Sequence, residues 1–215
     1  PVIQVPGNNS VIRDTTPAIS GTAEANARVE VTVDGDTVLP TTATAGGTFT
    51  VDSLLLDEGQ HVATAVAIDA AGNRSLLSNR VDFTVDATSP AAPVITAPEN
   101  NTTITNASPT IRGTAEKGSR LEVFLGTTSL GTTTADVQTG AFAVAPNAPL
   151  VDGTYVATAV STDAAGNVSP RSATVTFTVD RVAPAAPVLV NPANGTSVPT
   201  TSPIYAPATA RSLWN

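Results

Sequence analysis

The sequence contains no cysteine, which excludes a disulfide framework, thiolate metal sites and thiol chemistry together. Export stays open, because a domain of about 90 residues folds without such staples. Aromatic residues make up only 4% of a chain that is 41% hydrophobic, so any core has to be built from Val, Ala, Ile and Leu with an occasional Phe. Such cores are thin and suit stacked sheets. No apolar run approaches the roughly 18 to 20 residues that a membrane span needs. Lys and Arg do not cluster, and the formal charge is −8, so the phosphate neutralisation that a nucleic-acid partner requires has no basis. Helix signals are nearly absent, Ser53-Leu-Leu-Leu-Asp57 being too short to matter.

What the chain does have is a duplication. Asp69-Ala-Ala-Gly-Asn73 returns letter for letter as Asp163-Ala-Ala-Gly-Asn167. Gly21-Thr-Ala-Glu24 returns at Gly113–Glu116, and Phe83-Thr-Val-Asp86 at Phe177–Asp180. Between those last two landmarks the second copy is longer by two residues. One falls in the turn from Ala135 to Gly140 opposite Ala43 to Gly47, the other in Ala145 to Val151 opposite Asp52 to Asp57. Insertions confined to turns are what loops on a fixed scaffold tolerate. The copies occupy residues 1–90 and 91–184. A third begins within 185–215, where Pro187 to Pro203 matches Pro93 to Pro109 before the match fails at Tyr205. The opening at Pro1-Val2, a point that recurs inside each repeat, carries neither an initiator Met nor a leader pattern and reads as an excised fragment.

Within the first copy, Arg28-Val-Glu-Val-Thr-Val33 and Arg80-Val-Asp-Phe-Thr-Val85 alternate polar and apolar. Period two with β-branched residues predicts half-buried strands, with Val29, Val31, Val33, Val81, Phe83 and Val85 facing inward. Further short strands are expected near 2–5, 17–21, 37–42, 47–52 and 61–68, seven in all. Asp34-Gly35 and Gly46-Gly47 supply hairpin turns. His61-Val-Ala-Thr-Ala-Val-Ala-Ile68 is apolar on both faces, which suits a central strand covered on both sides. Seven short strands per repeat predict an all-β chain of tandem immunoglobulin-like antiparallel β-sandwiches. The Pro-containing links Ala87–Pro93 and Arg181–Pro187 are short and semi-rigid.

Gly-Thr-Ala-Glu, an acidic-Gly turn before an alternating strand (Asp152-Gly-Thr-Tyr155), Asp-Ala-Ala-Gly-Asn, then Phe-Thr-Val-Asp and a Pro-rich link form an ordered set. This set resembles the bacterial immunoglobulin-like repeats of large secreted or cell-surface adhesins. The resemblance implies export, many tandem copies and a stalk that holds a distal binding domain away from the cell. Some members are similar to cadherins in carrying calcium at domain junctions. The Cys, Trp, Cys pattern of antibody domains is missing. In two places the repeats differ: His61 stands where the second has Tyr155, and Glu58 where the second has Asp152.

In a sandwich of this kind the loop after the second strand and the loop after the sixth lie at the pole of the domain's N-terminus. Glu116 sits in the first loop, Asp163 opens the second, and Asp86 ends the strand that feeds the link into that pole. Asp86, Glu116 and Asp163 are therefore expected to converge as a candidate junction calcium site, since calcium takes six to eight oxygens including carboxylates. The bland reading is that Asp163 and Asn167 hydrogen-bond loop N–H groups around the Gly166 turn. Glu24 and Asp69 are the counterparts in the first repeat.

His61, the only histidine, reads as a shape-filling strand residue, because Tyr155 holds its place in the second copy. Lys117, the only lysine, lies in a polar turn opposite Asn26, which disfavours an intramolecular Lys-to-Asn bond. No Gly-x-Ser-x-Gly elbow or paired His supports nucleophilic catalysis. The reading is a non-catalytic spacer of a bacterial surface or secreted adhesin-like protein. Its partners are neighbouring repeats of the same chain, without nucleic acid or membrane insertion, and calcium is the one cofactor weighed. The other reading is a carbohydrate- or protein-binding module, or an accessory domain of an extracellular hydrolase. Such modules use exposed aromatic platforms, and this chain has few aromatics to build one.

Overall fold

The computed structural model describes residues 1–37, 40–188 and 195. Pro1–Arg181 forms one compact unit and Val182–Asn215 another. The expected restart of a third repeat and the unmatched tail from Tyr205 fall outside the described residues, apart from residues 187, 188 and 195.

The first copy contributes β1 (Val2–Val5), β2 (Ser10–Ile12), β3 (Ala18–Thr22), β4 (Arg28–Val33), β5 (Asp36–Thr37), β6 (Thr41–Thr42), β7 (Thr48–Asp52), β8 (Gly59–Ile68) and β9 (Val81–Val85). The second contributes β10 (Val94–Ala97), β11 (Thr102–Ile104), β12 (Ile111–Thr114), β13 (Arg120–Leu125), β14 (Thr128–Thr134), β15 (Ala141–Val144), β16 (Gly153–Thr162) and β17 (Val175–Val179). Each copy stacks a three-stranded sheet on a larger one. In the first these run β1-β3-β7 and β2-β9-β8-β4-β5, with β6 also on β4. In the second they run β10-β12-β15 and β11-β17-β16-β13-β14.

The alternation in the sequence becomes the two faces of each strand. On β4, Val29, Val31 and Val33 are buried while the residues between them are not, and Val81, Phe83 and Val85 do the same on β9. The first core gathers these with Ile3, Ile19, Phe49, Ala63 and Ala65, and the second gathers Ile111, Leu121, Val123, Phe142, Phe177 and Val179. Each sandwich thus has two core phenylalanines in a matrix of small aliphatics, and fully burying one such ring is worth about 1.5–3 kcal/mol. The remaining phenylalanine, Phe124, lies half-buried beneath the guanidinium of Arg171, 4.4 Å from its ring centre.

The Gly-Thr-Ala-Glu motif has a steric cause. A Cβ on Gly21 would run into the carbonyl oxygen of Val2, and one on Gly113 into that of Val94 and the ring of Phe142. The two glycines let β1 and β10 lie flush on β3 and β12. The Asp34-Gly35 hairpin forms as expected, with positive φ at both residues (51° and 93°).

Three features depart from the expected plan. The pairing is not wholly antiparallel: after β1 the chain crosses to the other sheet and adds β2 parallel to β9, as β11 adds to β17. The crossing is held by adjacent asparagines. Asn8 Oδ1 accepts from Asp82 N at 2.9 Å and Asn9 N donates to Asp82 O at 2.6 Å, and Asn100 and Asn101 repeat both bonds on Thr176. Next, β8 is not covered on both sides; only His61, Ala63, Ala65 and Ala67 are buried and the alternate residues are half-buried. Finally, β9 pairs with β8 only from Gly59 to Ala63. Beyond that point serines stand in for a strand: Ser78 and Ser75 Oγ accept from Ala65 and Ala67 N (2.8 and 2.9 Å) while their own N–H groups donate to the same residues' carbonyls. Ser172 and Ser169 serve Ala159 and Ser161 in the same way.

Candidate functional site

The Asp-Ala-Ala-Gly-Asn loop leaves the end of β8 and of β16. In both copies it closes on itself, with the Asp N–H donating to the Asn carbonyl at 3.1 Å and glycine at φ near 90° turning the chain. In the first copy Asp69 Oδ1 accepts from Ala71 N and Asn73 N (2.9 and 2.8 Å), and Oδ2 from Asn73 Nδ2 at 2.8 Å. These bonds, the Asn73 side chain's first among them, hold the Asp69 carboxyl below the usual carboxylate range. In the second copy Asp163 accepts from Asn167 N and Nδ2 at 2.8 and 2.9 Å. Burial pushes that carboxyl up, but the bonds from Asn167 and the loop N–H groups outweigh it and the carboxyl is held low. Turn-stabilising bonds are thus what these side chains make.

One bond sets the second loop apart. Asn167 Nδ2 also donates to the carbonyl oxygen of Asp86, at 2.7 Å, reaching from the second sandwich to the residue that follows β9 of the first. Asn167 is buried to 7% exposure, whereas Asn73 is exposed. The link is gripped from the other side as well. Glu58 Oε1 accepts from Ala87 N at 3.1 Å and from Thr88 Oγ1 at 2.7 Å. Asp86 N donates to Ile12 O at 2.8 Å and Asp86 Oδ1 accepts from Thr88 N at 3.2 Å. Pro90 and Pro93, which fix φ in the link, are buried. Asp152 repeats the role of Glu58 after the second sandwich, taking Arg181 Nε at 2.7 Å and Arg181 N at 3.3 Å.

Of the three carboxylates expected at the junction, Asp163 and Asp86 are each near enough to Glu116 for their charges to act on it. Burial first, then the charges of Asp163 and Asp86, push the Glu116 carboxyl above its ordinary value. Hard oxygens in excess negative charge are the right chemistry for calcium. Their placement is another matter: among the described residues no group of three His, Cys, Asp or Glu side chains is arranged to hold a metal ion. Both Asp163 oxygens and the Asp86 carbonyl are instead taken by Asn167.

A second set of contacts lies around His61, which does more than fill space. Nδ1 faces Asp34 Oδ2 at 2.5 Å and Nε2 faces the Asp57 carbonyl at 2.8 Å. Tyr155, at the matching position, donates from Oη to Val151 O at 2.9 Å. Both rings pack on the core phenylalanine of their strand neighbour, His61 on Phe83 and Tyr155 on Phe177. With both nitrogens committed, His61 is not placed to act as a general base.

A family profile described as "Bacterial Ig-like domain" matches residues 5–87 and again 95–181. The chain belongs to that family. Among solved structures it is similar to the fibronectin(III)-like modules of Clostridium thermocellum CbhA, at 19% identity and a TM-score of 0.56, over 83% of this chain and 93% of that one. A marsupial T cell receptor is similar at 9% identity and a TM-score of 0.58, over 84% and 73%. At these identities the likeness shows the sandwich fold alone. A 1.5-MDa bacterial ice-binding adhesin, described for host cell surface retention, matches at 23% identity and a TM-score of 0.39, over 83% and 62%. This bacterial Ig-like chain spans less than two thirds of the adhesin structure. No curated protein matches it.

Proposed function

We propose that this pair of bacterial Ig-like repeats is a non-catalytic structural spacer, a segment of an adhesin-like protein secreted or held at a bacterial surface. The observation that carries this reading is the grip on the link, with Glu58 of the first repeat and Asn167 of the second holding the three-residue stretch Asp86–Thr88 between them. Sandwiches set the reach of such a segment and gripped links set its stiffness. The net charge of −8 disfavours lateral association with neighbouring chains. The working partners are then the adjoining repeats of the same chain. Family membership and the ordered motif set support an extracellular or cell-surface location. A carbohydrate-binding role is less well supported, since among the described residues no Phe or Tyr is fully exposed as a stacking platform.

Small-angle scattering tests the spacer reading. The wild-type chain should scatter as a narrow ensemble, and the double variant Glu58→Ala, Asn167→Ala as a broader one with both sandwiches folded. A wild type as broad as the variant would remove the basis of the proposal.

Calcium at the same junction is a second reading, favoured by the upward push on Glu116 from Asp163 and Asp86, which a divalent cation would relieve. Titrating calcium into chelator-treated protein should release or absorb heat and raise the melting temperature at millimolar concentrations. Neither effect appearing would end this reading while leaving the Asn167 and Glu58 contacts as the source of stiffness.

A further inference from the structure

The corner that opens β8 holds the chain's one imidazole in a setting that requires a charge. The Asp57 carbonyl can only accept, so Nε2 of His61 must carry a proton. An ionised Asp34 carboxylate can only accept, so Nδ1 must carry one as well. Neutral imidazole has a single N–H, and whichever tautomer forms leaves one lone pair against another. Only the imidazolium satisfies both neighbours.

The surroundings agree. The charged groups sharing a cleft with the ring are Asp34 from the β4–β5 turn, Asp36 at the start of β5 and Asp57 from the segment before β8. These line a cleft of about 240 Å³ with Val33 and Leu54 to Leu56, and no Lys or Arg is among its described lining residues. Asp34 is itself fixed, its Oδ1 accepting from Val62 N at 2.8 Å. Burial works against the charge, but the bonds to Asp34 and to the Asp57 carbonyl, helped by both carboxylate charges, prevail and hold the imidazole above its ordinary 6.5.

Asp57 is followed by Glu58, the residue that grips Ala87 and Thr88 in the link. We infer that His61 is a pH-sensitive lock on the first repeat. As imidazolium it ties the Asp57–Glu58 corner to the Asp34 turn, and loss of its proton releases that corner and with it the hold of Glu58 on the link. Because the folded state raises the imidazole's affinity for its proton, the added stability is complete below pH 6.5 and is lost as pH rises through the folded value. The second repeat, with Tyr155 bonded to Val151 O, makes the same corner bond without a charge. This inference rests on the reading of the link as a stiffened element.

The full chain has a single histidine, so proton NMR from pH 5 to 9 follows one imidazole titration. Its midpoint should lie above 6.5 and should fall in Asp34→Asn, whose amide still accepts from Val62 N but carries no charge. Hydrogen exchange, corrected for the intrinsic rate, should show protection of the Val62 and Ala87 amides falling between pH 6 and 8.5. The fall is about tenfold for each unit by which the midpoint exceeds 6.5. The Arg181 amide, held by Asp152, should keep its protection, and His61→Tyr should make the Val62 and Ala87 amides indifferent to pH. A midpoint at or below 6.5, or one that Asp34→Asn leaves in place, overturns the lock. A fall at Val62 without one at Ala87 overturns its coupling to the link. Failure of the spacer reading looks different, because Ala87 would then be unprotected already at pH 6.

Discussion

Ser161 and Ala67 occupy the same place in the two sandwiches, each on the long central strand and opposite β13 or β4 at Leu121 or Val29. The backbone N–H of each is served by a serine hydroxyl from the following loop, Ser169 or Ser75, at 2.9 Å. The one chemical difference is the Ser161 hydroxyl, which is fully buried and has no hydrogen-bond partner. Leaving a buried polar group unsatisfied costs about 1–3 kcal/mol, and deleting one oxygen leaves only a small gap. Ser161→Ala should therefore stabilise the second repeat by about 1 kcal/mol, and Ala67→Ser should destabilise the first by a similar amount. In a domain of this size about 1 kcal/mol moves the melting temperature by roughly 4–8 °C. Tyr155 lies on Phe177 in the second core, so its near-ultraviolet circular dichroism follows that repeat. A lower midpoint for Ser161→Ala would refute the reasoning, as would an Ala67→Ser variant as stable as wild type.

Other outcomes follow from the same contacts. Gly113→Ala should destabilise the second repeat by several times more than a Gly-to-Ala change at exposed Gly7, because the new methyl meets the Val94 carbonyl and the Phe142 ring rather than open space; urea midpoints check it. Asp163 has its carboxyl held low in the folded state, so the stability it supplies is full above its ordinary 3.8 and is lost as pH falls below it. Asp163→Asn should accordingly be less stable than wild type near neutral pH, and the gap between their urea midpoints should close as pH falls below 3.8. Phe177→Ala should cost the second repeat about 3–5 kcal/mol and leave the first unchanged, as calorimetry would show by moving one of two transitions.

The parts of the fold that the sequence made legible are those governed by one residue's own pattern. Val29, Val31 and Val33 announce their strand because burial on one face forces period two, and Asp34-Gly35 announces its turn because few other pairs take positive φ twice. The strand Ser10–Ile12 was invisible because three residues carry no period; what defines it is Asn8 and Asn9 bonding the backbone of Asp82, more than seventy positions away. The recurrence of Pro-x-Asn-Asn at residues 6–9 and 98–101 is the signal that would have found it. The serine pairs Ser75/Ser78 and Ser169/Ser172, at matching positions, would likewise have marked the pseudo-strands. At the junction, the Asp-Ala-Ala-Gly-Asn motif advertises its carboxylate. The group that crosses to the link is the Asn167 amide, a donor aimed at a backbone carbonyl that no residue type advertises. His61 fills space on Phe83 as its pattern suggests, but its polar partner is not legible, since Asp34 meets it only after the chain has folded across two strands.

The most direct test concerns the junction in the absence of calcium. The chain has no cysteine, so nitroxide labels can be placed at Thr50→Cys and Ala143→Cys, exposed and matching positions on β7 and β15. Pulsed electron spin resonance in chelator should give a narrow distance distribution for the otherwise wild-type chain and a markedly broader one when Glu58→Ala and Asn167→Ala are added. A wild-type distribution in chelator as broad as that of the double variant would contradict a spacer stiffened by its own side chains.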